Sequence, residues 1–340
     1  MVRQNSRMIF RVRSFALLVV LPLICAAPLA SQAQEKITIP SRTPSTWTEY
    51  SHGQGAAVTV IGYLYLPSGA TGPVPAMILK HGSAGLTGAQ GDNIRKWAAT
   101  LNECGVAAFV VDSFGPRGIG DSASDQGKLR SLADLVDAFA ALKVLAADPR
   151  IDSGRIGIIG WSRGGAVAME TALESARLAV LGPADPKFAA HIVFYGMASP
   201  QYRDTATDHA PMLFLHGDSD NLVPVGPTRE FADWIQTQGN SVTFQAYPGV
   251  YHDFDVEKGI DGSVHGVETA RDCDVVVDAS TGQVVRMNHT AVSGVSGLAL
   301  IRYMRGCMLR GAELHPNGVA RADALEKVRR FVIQTFHISG

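Results

Sequence analysis

Cysteine is scarce in this 340-residue chain, with four in all, and no two of them stand at the close spacing of a metal-binding knuckle. No H-E-x-x-H occurs either, so the sequence offers no recognisable metal ligand set and implies no cofactor. Charge of one sign is also missing: 30 basic residues face 31 acidic ones, which leaves no electrostatic footprint for nucleic acid. Nor is there a long apolar run. Phe15 to Ala27 is the longest near the amino terminus and is too short to span a bilayer comfortably.

That short run has a different reading. Arg3, Arg7, Arg11 and Arg13 precede it with no acidic residue, and Ser31 and Ala33 occupy the minus-three and minus-one places of a signal-peptidase site. Residues 1–33 are therefore expected to be an export leader cleaved after Ala33, with the protein periplasmic or secreted and free of the membrane afterwards. Ile24 before Cys25 is too bulky for a lipoprotein signal. Cleavage removes four arginines and no acid, leaving 26 basic against 31 acidic residues and a formal charge of -5. Export also permits a disulfide. Cys273 and Cys307, both in one late loop-rich stretch, are the expected pair, while Cys104 reads as a packed thiol.

From residue 57 the chain alternates β-branched runs with helical stretches, the pattern of a mostly parallel sheet covered on both faces. Strands are expected at Val58 to Leu66, Pro75 to Leu79, Val106 to Val111, Arg155 to Ile159, Ala189 to Tyr195, Met212 to Leu215 and Val242 to Tyr247. Helices are expected from Asn93 to Glu103, Leu129 to Ala147, Ala166 to Arg177, Thr228 to Gln238 and Asp323 to Phe336. Residues 256–318 break the alternation. They are too short and too poorly patterned for a core of their own, so they read as an insertion in a single domain covering 34–340, with a lid over a pocket as one role for it.

Gly160-Trp161-Ser162-Arg163-Gly164 matches G-x-S-x-G between an expected strand and an expected helix. The spacing has a mechanical reason. A nucleophilic serine on a sharp turn needs glycines beside it so that strand and helix can approach without a Cβ clash. Serine also needs a base, and the base an orienting acid. His252, in Tyr247-Pro248-Gly249-Val250-Tyr251-His252-Asp253-Phe254, follows the last expected strand, where a loop can carry it over the sheet's carboxyl edge. The acid comes from His216-Gly217-Asp218-Ser219-Asp220-Asn221-Leu222-Val223-Pro224.

These three motifs, in this order, resemble the dienelactone hydrolase family and, less closely, prolyl-oligopeptidase-like hydrolases. The likeness runs over about residues 57–255 plus the closing helix. It implies an α/β-hydrolase fold, with an eight-stranded, mostly parallel sheet between helices, and it implies Asp220 rather than Asp218 as the acid. Dienelactone hydrolases proper carry cysteine where this chain has Ser162, so the dienelactone substrate does not carry over with the resemblance, which implies more generally hydrolysis of a small-molecule carboxylic ester or related acyl compound.

Two backbone donors are then expected at the oxyanion: the N-H of Arg163 and that of Ser83, in the His81-Gly82-Ser83-Ala84-Gly85 turn. Arg117 is a candidate clamp for a substrate carboxylate, with a loop-stabilising ion pair as its other reading. Trp161 and Tyr251, beside nucleophile and base, are candidates for pocket wall or core. Two rival functions remain open at this point, a prolyl-oligopeptidase-like peptidase and a non-catalytic periplasmic binding protein on the same fold.

Overall fold

In the computed structural model the described residues are Met1, 34–196 and 199–338, so the expected leader and its cleavage site lie outside them. The chain enters on β1 (Gln34–Thr43) and a short helix α1 (Trp47–Ser51), then pairs β2 (Ala56–Tyr65) back along β1. Strand β3 (Val74–Lys80), helix α2 (Gly88–Glu103) and β4 (Ala107–Asp112) begin the alternation. Helix α3 (Ser131–Ala146) leads to β5 (Ile151–Trp161), which runs into α4 (Arg163–Glu170) and α5 (Glu174–Leu178). After β6 (His191–Phe194) and the three-residue β7 (Gln201–Arg203) come β8 (Met212–Gly217), α6 (Val225–Thr237) and β9 (Val242–Tyr247).

Eight strands form the main sheet in the order β1-β2-β4-β3-β5-β6-β8-β9. The pairs β1/β2 and β2/β4 are antiparallel and the rest parallel. Side chains alternate across it as strand geometry demands. Along β3, Ala76 and Ile78 join a core with α3, α4 and α6, whereas Met77 and Leu79 face the other way, toward Ile94 and Trp97 of α2. Both faces are buried, so the central strands read as continuous apolar runs.

The 256–318 stretch holds β10 (Gly262–Thr269), β11 (Val275–Asp278), β12 (Gln283–Met287), β13 (Thr290–Ala291), α7 (Gly297–Cys307) and β14 (Leu309–Leu314), after which α8 (Gly318–Thr335) packs on the α2 side of the sheet. Antiparallel β10 and β14 make a two-stranded ribbon, and β11 to β13 form a small sheet completed by parallel pairing of β11 with β7. Val275, Val277, Ala279 and Val284 belong to the same core as α3 and the central strands rather than forming a separate one. The Cα atoms of Cys273 and Cys307 lie 5.2 Å apart, within disulfide range.

Two expectations need correction. Strand β1 was not expected at all, and the helix expected over 166–177 is broken between α4 and α5. At the break, Ala172 and Leu173 make tighter i-to-i-3 bonds, and Leu173 pairs with Thr207 in an isolated bridge.

Candidate active site

Ser162 sits where β5 turns into α4, at φ 53 and ψ -114, a backbone conformation that a side-chain-bearing residue adopts only when its surroundings force it. The surroundings do so through glycine. A Cβ on Gly160 would lie 1.9 Å from the Gly164 carbonyl oxygen, and one on Gly164 would lie 2.1 Å from the Lys80 carbonyl oxygen. The strand and the helix can therefore meet at this angle only with glycine in both places. The Ser162 N-H is tied to the Phe194 carbonyl at 3.0 Å, fixing the turn to the neighbouring strand.

The acid and base meet across two loops. Asp220, in the loop three residues beyond β8, holds Nδ1 of His252 through Oδ2 at 2.6 Å, and both side chains are buried. The other carboxylate oxygen accepts the backbone N-H groups of Leu222 and Val223 at 2.9 and 2.8 Å. His216 donates to the Val223 carbonyl at 2.8 Å with the same nitrogen 3.5 Å from Asp220, so the acid cannot swing away. Burial alone would raise the Asp220 carboxyl, but the charge of His252 and the hydrogen bonds from both histidines outweigh it and hold it well below the usual carboxylate range. Burial alone would lower His252, yet the Asp220 carboxylate, assisted by Asp253 and Asp255, keeps the imidazole above its ordinary 6.5. Asp218 does something else: it accepts the Gly249 N-H at 2.7 Å in an exposed turn.

Ser162 and His252 line one cavity of about 370 Å³, together with Gly82, Ser83 and Trp161. Arg163 opens α4, where first-turn N-H groups have no partner within the helix, and neither its amide nor that of Ser83 meets a protein acceptor among the described residues. The Arg163 side chain points elsewhere. It is buried, donating to Asp134 at 2.7 Å and to the Leu129 carbonyl at 2.5 Å. Lys80 reaches the same carboxylate at 3.1 Å. Burial works to raise Asp134, but the two cations dominate and keep it ionised. His81 is held neutral, lowered to about 4 by burial first and by Lys80 next.

Two of the candidate residues lie away from the cavity. Arg117 forks onto Asp137 at 2.7 and 3.0 Å and donates to Thr43 and the Ser113 carbonyl, so its guanidinium is consumed in pinning the loop after β4. Tyr251 packs its ring edge-on to His315, 4.7 Å between centroids, and is not part of the cavity wall. Trp161 serves both as wall and as core, stacking on Phe194 at 5.5 Å.

Asp255 went unnoticed in the sequence, although its place three residues after His252 in His-Asp-Phe-Asp was the available signal. This fully buried carboxylate accepts from Asn93 at 2.8 Å, Trp97 at 2.8 Å, Trp161 at 2.9 Å and the Tyr195 hydroxyl at 2.5 Å. Tyr195 in turn lays its ring 4.4 Å from that of His252. One carboxylate thus braces Trp161, the residue before Ser162, and the ring that lies against His252. Among the described residues no cluster of His, Cys, Asp or Glu has the arrangement of a metal site.

The sequence profile of the dienelactone hydrolase family matches residues 60–278. The chain belongs to the dienelactone hydrolase family. This member is 23% identical over 269 residues to a monoacylglycerol lipase of Mycolicibacterium smegmatis, a match covering 62% of this chain and 91% of the relative. It is 26% identical over 210 residues, 57% of this chain and 78% of the other, to a probable 2-oxo-3-(5-oxofuran-2-ylidene)propanoate lactonase of Bradyrhizobium. Among solved structures, a dienelactone hydrolase-like promiscuous phosphotriesterase from metagenomic libraries superposes with a TM-score of 0.55 at 17% identity, covering 89% of this chain and 99% of that one. The shared fold is the α/β-hydrolase fold. This dienelactone hydrolase family member is a serine hydrolase of the carboxylic-ester class.

Proposed function

We propose that the protein hydrolyses a small-molecule carboxylic ester through an acyl-enzyme on Ser162. The observation that carries the assignment is the 2.6 Å Asp220–His252 pair facing the same cavity as a strained Ser162. Ser162 Oγ attacks the ester carbonyl while His252 Nε2 takes its proton; Asp220 holds the Nδ1 side of the ring and stabilises the imidazolium. The oxyanion lies against the N-H groups of Arg163 and Ser83 until the C-O bond to the alcohol breaks, with His252 returning the proton to the leaving oxygen. Water then repeats the sequence at the acyl-enzyme and releases the acid.

A fluorophosphonate probe together with a panel of esters and aminoacyl amides tests this. Expected are one adduct on Ser162, turnover of esters well ahead of amides, and loss of both labelling and turnover in Ser162→Ala. Failure of the folded protein to label would sink the catalytic assignment, and faster amide turnover would favour a peptidase.

The same proposal covers the life of the chain. Residues 1–33 are removed on export to the periplasm or beyond, the mature protein is one hydrolase domain with an insertion at 256–318, and a Cys273–Cys307 disulfide forms there. Amino-terminal sequencing and thiol counting of protein from the exported fraction check it. A mature chain starting at Met1, or three titratable thiols, would overturn it.

A further inference from the structure

The ribbon β10/β14 contains an irregularity at the cavity. Val264 pairs with Ala312 and Glu268 with Arg310, so four steps along β10 match two along β14. In a regular strand, residues three apart point to opposite faces. Here Val264 and Val267 both line the cavity, because the two extra residues of the bulge turn the strand between them. Ile260 and Leu314 continue the same apolar surface on either side, with Leu222 and Val223 from the acid loop beside it.

This wall is fixed to both halves of the site. The Glu268 N-H donates to the Ala123 carbonyl at 2.8 Å and its carboxylate accepts the Gln126 N-H at 2.9 Å. Thr269 donates to the Leu222 carbonyl at 2.5 Å, Glu313 N-H donates to the Asn221 side chain at 2.8 Å, and Leu314 bridges to His252.

The carboxylates that reach the cavity are each bonded by protein, and the arginine there is bonded in part. Glu268 also takes Arg310, Arg271 gives its Nη1 to the Asn221 and Gly311 carbonyls, Asp253 accepts from Gln90, and Asp121 accepts the Ala123 N-H.

Resting on the ester-hydrolase reading above, we infer that Val264 and Val267 on the bulged strand are specificity-determining residues that set the length of an uncharged, apolar part of the ester. The cavity is near the small end of the usual ligand range of about 300–1,000 Å³, so a side chain added or removed at the wall changes what fits. Each methylene moved from water into apolar contact is worth about a fourfold change in transition-state binding.

The test is a kcat/KM profile over p-nitrophenyl acetate, butyrate and octanoate, a parallel series of butyrates with lengthening alcohols, and a p-nitrophenyl ester ending in a carboxylate. Val264→Ala/Val267→Ala is expected to raise the octanoate-to-butyrate ratio, or its alcohol counterpart, about tenfold. Val264→Phe is expected to lower it by a similar factor, and His265→Ala, an exposed residue of the same bulge, to leave it unchanged. The wild-type protein should turn over the neutral ester at least tenfold faster than the carboxylate-ended ester of equal length.

Fluorophosphonate labelling of every variant separates the two readings. Wild-type protein that fails to label refutes the hydrolase assignment itself. Labelled variants whose ratios stay at the wild-type value in both series overturn the role of Val264 and Val267, as does a shift of equal size in His265→Ala. Equal turnover of the charged ester overturns the apolar character of the subsite.

Discussion

At the scale of single residues, the site depends on charges whose partners decide their behaviour. In the proposed mechanism His252 must be neutral to take a proton, and its neighbours hold it above 6.5. The acid limb of the kcat/KM profile is therefore expected at a pH above the ordinary imidazole value, with activity rising through it. Asp220→Asn removes the main raising charge and also the partner that fixes the tautomer. The limb should move to lower pH and kcat should fall by about three to four orders of magnitude; a pH-rate series on both proteins measures each. An unmoved limb would mean that another group is being titrated.

Glu170 gives a prediction about stability instead. Burial raises its carboxyl from 4.5 to about 8, and Oε2 has no partner among the described residues. Between these values the folded protein keeps a proton that the unfolded chain gives up, so this group costs more stability as pH rises from about 4.5 to 8. Glu170→Gln removes the slope. The melting temperature of the variant relative to wild type should be higher at pH 8 than at pH 5, and an equal difference at both would refute the assignment. The motifs that hold Ser162, Asp220 and His252 were readable in the sequence because each is local. The role of Arg117 was not, since its choice between substrate and Asp137 depends on α3 lying across the loop, and the four donors to Asp255 come from three separate segments, Asn93 and Trp97 sharing α2.

Elements were legible in proportion to how far burial dictates their pattern. Strands β3 to β6 and β8, apolar on both faces, were placed within a few residues. Strand β1 escaped because it is an edge strand: only Ile37 and Ile39 supply an apolar alternation along it, and Pro40 is tolerated where one side of the strand has no neighbour. The small strands of the insertion are too short for a period to show. What the insertion does was equally hidden, because it depends on hydrogen bonds across 142 residues of sequence between Glu268 and Gln126. Gln126 bonds both the Ser83 hydroxyl, at 3.1 Å, and the Arg163 guanidinium, at 3.3 Å. The ribbon thus braces the two segments that carry the proposed oxyanion donors. Glu268→Ala is expected to lower kcat about tenfold even on p-nitrophenyl acetate, too short to touch the Val264 wall, while Glu268→Gln, which keeps an acceptor, restores most of it. Equal defects in the two variants would show that the carboxylate's charge, not the hydrogen bond to Gln126, is what matters.

For the molecule as a whole, the question is whether the insertion unfolds with the sheet or before it. Val275, Val277 and Val284 belong to the same core as α3 and the central strands, and β11 is paired to β7. Those contacts make the insertion part of one cooperative unit despite its late position in the chain. The proposed Cys273–Cys307 bond closes a segment of 34 residues, a loop for which chain entropy gives about 3–4 kcal/mol of stabilisation. Cys273→Ser/Cys307→Ser should therefore melt roughly 5–10 °C below the oxidised protein, and reductant should bring wild type down to the same value while leaving the variant unmoved. Esterase activity and tryptophan fluorescence should be lost together in both, because the insertion that carries Val264 shares a core, through Val275, Val277 and Val284, with the central strands of the sheet. Activity that vanished well before the fluorescence change would instead mark the insertion as a unit that unfolds on its own.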